Sequence, residues 1–146
     1  YQALKNGKIT VFGGNQTRPN IHIKDMVNVY KHFLKNKEIP SGCYNAGFEN
    51  ISILEIAKQV SKSIDAEILV TESNDPRSYR QDSSKLLSTG FKLRNNVKKA
   101  ILDIKDAYKK NSLNISDSCY TVKWMKKLSL WFYKTKFSQK LFKLGK

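Results

Sequence analysis

The 146-residue chain carries 27 Lys and Arg against 12 Asp and Glu, a net charge of +15, with 40% hydrophobic and 11% aromatic residues and only 7 Gly, 3 Pro and 2 Cys. That size suits one modest domain, and the composition excludes a collagen-like chain, a disulfide scaffold and a wholly disordered polymer. No apolar run reaches the roughly 20 residues of a membrane-spanning helix, and Tyr1-Gln2-Ala3-Leu4-Lys5 lacks the charged and apolar regions of a signal peptide. The expectation is a globular protein of a reducing, cytoplasmic compartment; with no initiator Met, its numbering is expected to begin inside a longer reading frame.

In chain order, Lys8-Ile9-Thr10-Val11-Phe12 alternates and is rich in β-branched residues before Gly13-Gly14-Asn15, so it predicts a strand entering a loop. A second short strand is expected at Ile21-His22-Ile23. Asp25 then precedes Met26, Val29, Tyr30 and Phe33 at helical spacing, with its carboxylate placed to cap that helix, which should stop before Pro40. Residues 43–47 read as a third strand. Ser52-Ile53-Leu54-Glu55 is a capping box opening an amphipathic helix through Ile56, Val60 and Ile64. A strand over 67–71, a short helix over 82–87 ended by Gly90, and a helix over 96–108 with Val97, Ala100, Ile101, Ile104 and Tyr108 on one face complete the pattern. Alternating strands and helices define an α/β class.

The positive charge is uneven. Residues 1–110 hold 19 basic and 11 acidic side chains, whereas 111–146 hold 8 Lys and a single acid, Asp117. This break predicts a body over 1–122 and a basic tail over 123–146. In the tail, Leu130, Tyr133, Phe137, Leu141 and Leu144 follow helical spacing beside the lysines. Such a helix fits an anionic lipid interface, equally well a face packed on the body or a second subunit, and much less well nucleic acid.

Several chemistries lack their residues. Gly13-Gly14 is a lone pair followed by Asn15-Gln16-Thr17-Arg18-Pro19, not by the helix of a dinucleotide-binding turn. His22 and His32 have no ligand partners at metal-binding spacing, and Cys43 and Cys119 stand far apart, so no metal is expected. His22 reads as a strand residue satisfied by backbone, and Cys43 as a small buried hydrophobe. Arg18 and Arg77 are more informative, because both fall in loops flanking regular elements. Two guanidinium forks so placed could neutralise one diphosphate; solvated surface arginines are the other reading.

The ordered pattern Ile9-Thr10-Val11-Phe12-Gly13, then Arg18-x-x-Ile21-His22-Ile23-x-Asp25, Tyr44-Asn45-Ala46-Gly47, Asp75-Pro76-Arg77-x-Tyr79, Asp82-x-x-Lys85 and Gly90-Phe91 resembles extended short-chain dehydrogenase/reductases, specifically the NAD-dependent epimerase/dehydratase family acting on nucleotide-sugars. The match runs from about residue 5 to 108 and covers their C-terminal part. The resemblance implies an α/β C-terminal substrate-binding lobe, here with a helical basic tail. It implies that Arg18 and Arg77 contact the nucleotide diphosphate and that the 11–15 loop, with Val11 and Phe12, lies against the base. The cofactor, NAD or NADP, and the catalytic Tyr-x-x-x-Lys belong to an N-terminal Rossmann half outside this sequence, so the segment alone is expected to bind no cofactor and to be inactive. Tyr1 and Lys5 spell that spacing by accident, too close to Arg18 for the family's order. A homodimer is implied for the complete enzyme. Pro19-Asn20 and Leu93-Arg94-Asn95 depart from the family's usual residues. The rival expectation is a basic peripheral module that binds an anionic inner membrane face, or another polyanion, through its C-terminal helix.

Overall fold

The computed structural model describes residues 1–128. The chain divides into two compact units at residues 110 and 111. The first contains α1 (Gln2–Asn6), β1 (Lys8–Phe12), β2 (Thr17–Asn20), α2 (Ile23–Lys35), β3 (Glu49–Ser52), α3 (Ile53–Ile64), β4 (Glu67–Thr71), α4 (Ser84–Leu87) and α5 (Val97–Lys109). This is the α/β alternation expected, built on two small sheets. β1 pairs with β4 in parallel, Lys8 opposite Glu67 through Phe12 opposite Thr71. β2 pairs antiparallel with β3, Thr17 opposite Ser52 through Asn20 opposite Glu49. Pro19 is tolerated within β2 because a two-stranded ribbon leaves one edge of each strand without ladder bonds.

The strongest local signals form as expected. Ser52 Oγ accepts from the Glu55 amide at 3.1 Å and opens α3, which ends at Asp65 in the left-handed region, φ 56°. Asn96 Oδ1 accepts from the Lys99 amide at 2.8 Å at the start of α5. Glu49 Oε2 adds a carboxylate there, accepting from Val97 N at 2.5 Å. The short helix is trimmed to Ser84–Leu87, with the Asp82 carboxylate accepting from Ser84 N at 2.9 Å.

Other expectations are corrected. The second strand lies at 17–20 rather than 21–23, and His22 is the cap of α2, its Nδ1 accepting from Lys24 N at 3.1 Å. With the helix starting at Ile23, Asp25 sits inside the first turn and faces inward. It is fully buried and accepts from Asn95 N at 2.7 Å, Asn95 Nδ2 at 3.0 Å and Arg94 N at 3.4 Å. Residues 43–47 form no ladder, and the strand appears at 49–52 instead. Gly47 bonds through both its amide and carbonyl to Ser83 Oγ, each at 3.0 Å. Cys43 is exposed, not buried.

Buried Val29, Leu86 and Phe91 form a core, with Ile21, Phe33, Tyr44, Ala46 and Phe48 packed around it. Val11, Ala57 and Ile101 are also buried. The second unit's described residues comprise a 3₁₀ turn (Asp117–Cys119) and α6 (Thr121–Lys127), tied by Lys123 Nζ to Asp117 Oδ1 at 2.6 Å. The expected division between 122 and 123 therefore falls within α6, and the aromatic tail over 129–146 lies outside the described residues. No helix among the described residues is long and apolar enough to cross a membrane.

Candidate functional site

The two arginines singled out from the sequence lie in one place. β2 delivers Arg18, while the loop between β4 and α4 delivers Arg77. Sequence-remote hydrogen bonds lace that loop onto the β2–β3 ribbon. Thr17 N donates to Ser78 Oγ at 3.0 Å, and Tyr79 N donates to Thr17 O at 3.0 Å. The Asn50 carboxamide pairs with the Gln81 backbone in both directions, each bond 2.9 Å. Each of these bonds uses a main-chain group on at least one side, and Tyr79 N to Thr17 O on both, so the loop is held in register with the ribbon.

The result is a shared carboxylate. Arg77 Nε donates to Asp75 Oδ1 at 2.6 Å and its Nη2 to Asp75 Oδ2 at 2.9 Å, a two-point fork. Arg18 Nη2 lies 3.4 Å from the same Oδ2, and Arg18 Nη1 donates to the Arg77 carbonyl at 2.6 Å. The Arg18 guanidinium also sits 5.0 Å from the centre of the Tyr79 ring. Hydrogen bonds from the Arg77 side chain and amide, then the charges of Arg77 and Arg18, hold Asp75 at a pKa of about 2 against an ordinary 3.8. The Arg77 guanidinium is pushed up by its bonds to Asp75.

A cleft of about 400 Å³ adjoins this cluster, lined by Gly13, Asn15, Gln16, Ser73, Asp75 and Ser78. Gln16 bridges its two walls: its Oε1 accepts from Gly14 N at 2.7 Å, and its Nε2 donates toward Asp75 O at 3.3 Å. Val11 and Phe12, expected in a loop over 11–15, are the last two residues of β1, and Phe12 is 65% exposed. Val11 is 2% exposed, a core residue whose side chain offers no surface to a ligand. Alternation along β1 sends these neighbours to opposite faces. Sequence reading missed Asp75, Gln16 and Tyr79 as site residues. The signal for Asp75 is its spacing: an aspartate two residues before Arg77 accepts that residue's amide, at 3.1 Å here, and orients the side chain that follows.

The Gly13–Gly14 turn does not fit a dinucleotide phosphate. Gly13 N already donates to Thr71 O at 2.8 Å and Gly14 N to Gln16 Oε1, and the chain continues into β2 rather than a helix. Tyr1 packs edge-on against Tyr108, the ring centres 6.1 Å apart, at the start of α1. His22 Nε2 lies 3.3 Å from Asp103 Oδ2. No group of three or more metal-ligating side chains occurs among the described residues.

No family model matches the chain. Solved structures do. RMD from Pseudomonas aeruginosa, complexed with NADPH, shares the fold with a TM-score of 0.56 and 20% identity, over 68% of this chain and 35% of that one. L-threonine dehydrogenase from Clostridium difficile does so at 0.61 and 21%, over 75% and 39%. The holo form of a GalE-like L-threonine dehydrogenase from Cupriavidus necator gives 0.58 and 17%, over 70% and 37%. At these identities the likeness is one of fold, so the chain has the α/β fold found within dehydrogenases. The resemblance to extended short-chain dehydrogenase/reductases stands at that level, and the chain spans 35–39% of the length of these three structures.

Proposed function

We propose that this chain is the C-terminal, substrate-binding lobe of an NAD(P)-dependent nucleotide-sugar epimerase or dehydratase of the extended short-chain dehydrogenase/reductase type. Its role is to hold the diphosphate of the sugar donor. The observation that carries the reading is the convergence of Arg18 and Arg77, from elements 59 residues apart, on one carboxylate. Asp75 there is a resident anion: two oxygens held by two guanidinium groups, as phosphate oxygens would be. Phe12, exposed and next in the chain to Gly13 of the cleft wall, is the aromatic side chain this reading assigns to the base.

The solved neighbour that holds NADPH supports reading the complete enzyme as NAD(P)-dependent. With the Gly13–Gly14 amides engaged, the dinucleotide belongs on an N-terminal half, and this lobe contributes binding energy and orientation. Fixing the diphosphate fixes the sugar, which is the positional share of catalysis.

Titration of a nucleoside diphosphate into the chain tests the site. Arg18→Ala or Arg77→Ala is expected to weaken binding by about one to two decades, and the Lys variants by less, because lysine keeps the charge but loses the fork. Binding unchanged in both Ala variants overturns the reading.

A further inference from the structure

A second basic site lies on α2 and shares no residue with the Arg18–Arg77 cluster. Helical spacing aligns Asn28, Lys31 and Lys35 on one stripe of α2. The chain returning after α4 brings Lys92 and Arg94 to the same cleft, about 420 Å³, whose wall includes His32. Gly90, with φ 85°, begins that return. Phe91, 6% exposed, anchors it, its ring centre 5.6 Å from that of His32 and 5.9 Å from that of Phe48. Further on, buried Asp25 accepts from Arg94 N and Asn95 N. The backbone carrying Lys92 and Arg94 is thus held on both sides.

No acid lines this cleft. Lys31, Lys35, Lys92 and Arg94 form no ion pair among the described residues. Five described Lys and Arg are paired, Lys24 and Lys99 on Asp103, Arg18 and Arg77 on Asp75, and Lys123 on Asp117; what sets these four apart from the other unpaired cations is that they line one cleft together without an acid. Four like charges gathered around a fixed concavity repel one another and focus a positive potential into it, which an entering anion relieves. The His32 ring is oriented by Thr89 Oγ1 at 2.8 Å on Nε2 and Asn36 Nδ2 at 3.2 Å on Nδ1, and Asn28 and Asn36 are the neutral amide side chains of the lining.

We propose that this cleft binds a multivalent phosphate anion of the di- or triphosphate class, Arg94 forking onto it and the three lysines acting as point charges. One phosphate monoester, carrying about −1.5 to −2 at neutral pH, leaves much of the cluster uncompensated, whereas linked phosphates match it. A soluble polyphosphate and a multiply phosphorylated lipid headgroup present the same chemistry.

The experiment titrates inorganic pyrophosphate into the 146-residue chain carrying Arg18→Ala and Arg77→Ala, so that failure of the diphosphate reading above and failure of this one are read separately. Binding is expected to persist, to weaken about ten- to hundredfold in a further Lys31→Gln/Lys35→Gln variant, and to weaken again with Arg94→Gln. Lys58→Gln/Lys62→Gln removes the same charge from a cleft that also holds Glu49 and Glu55, and should change affinity by no more than about twofold. No pyrophosphate binding in the Arg18→Ala/Arg77→Ala background overturns the proposal, as does an equal loss in the Lys58/Lys62 variant. Vesicles containing a bisphosphorylated inositol lipid identify the source. Sedimentation weakened by Lys31→Gln/Lys35→Gln, beyond any binding through residues 123–146, assigns a headgroup; pyrophosphate binding with sedimentation unchanged by that variant assigns a soluble anion.

Discussion

Replacing Asp25 by Ala tests how the loop leading into α5 is tied to α2. The carboxylate is fully buried and is the acceptor for both donors of Asn95, the amide at 2.7 Å and the side chain at 3.0 Å, with Arg94 N more distant at 3.4 Å. A hydrogen bond to a charged acceptor contributes about 1.5–3 kcal/mol, and a donor left dry costs about 1–3 kcal/mol more. Asn95 is only half-buried, so water recovers part of its loss. The expected destabilisation is about 2–4 kcal/mol, and at a slope near 2 kcal/mol per molar urea the midpoint should fall by about 1–2 M. Asp25→Asn keeps one acceptor for the Asn95 amide and lets the Asn95 carboxamide turn its oxygen inward, so about half the loss should return. Urea titration of the chain followed by circular dichroism measures both variants. If Ala lies within about 0.5 kcal/mol of wild type, or Asn costs as much as Ala, the carboxylate is not the tie described.

Three further outcomes can be measured, two from the ion-pair geometry and one from the tail's sequence. Asp75 and Asp103 both have folded pKa values lowered to about 2 from 3.8, so their contributions are complete above pH 4 and disappear as the pH falls toward 2. A carbon-detected NMR titration should place both midpoints near 2, and midpoints at 3.8 would remove the ion pairs. Asp75→Asn takes away the resident anion and should tighten nucleoside diphosphate binding severalfold by calorimetry; weaker binding would make Asp75 a support for Arg77 rather than a competitor of the ligand. If the basic, aromatic tail lies on an anionic interface, deleting 123–146 should abolish sedimentation with anionic vesicles, and undiminished sedimentation would reject that role for the tail.

How much of the fold was legible follows from where each element gets its bonds. α3 and α5 are closed by their own residues, Ser52 with the Glu55 amide and Asn96 with the Lys99 amide, and their apolar period is local, so both were readable. Strands depend on partners, which local sequence does not name. Tyr44, Ala46 and Phe48 alternate as a strand would and do pack on the core, yet no neighbouring strand among the described residues pairs with 43–47, and its Gly47 polar groups turn to Ser83 instead. The ribbon strand at 49–52 was hidden because Ser52 serves twice, ending β3 and capping α3. α2 was placed correctly but opened three residues late, since His22 is a less common cap than the Asp25 three residues on.

The site divides along the same line between local and remote information. That Arg18 and Arg77 belong together was one of two readings of their residue type and positions until the resemblance favoured it, since a gap of 59 residues carries no geometric signal. The structure adds the connection: main-chain bonds from Thr17 and side-chain bonds from Asn50 bring the 73–82 loop onto the ribbon. It adds Asp75 as well, and this changes the energetic reading of the site. Two arginines in water bind a phosphate against the cost of ordering both side chains. Here Asp75 already forks onto Arg77, and the Arg77 carbonyl and the Tyr79 ring already engage Arg18, so part of that ordering is complete before a ligand arrives. The same carboxylate competes for the guanidinium groups it orders. On the proposed diphosphate reading, a ligand bearing more charge than one carboxylate is expected to gain over Asp75 and a singly charged ligand to gain little, which would make selectivity for diphosphate over carboxylate ligands a consequence of Asp75 as much as of either arginine.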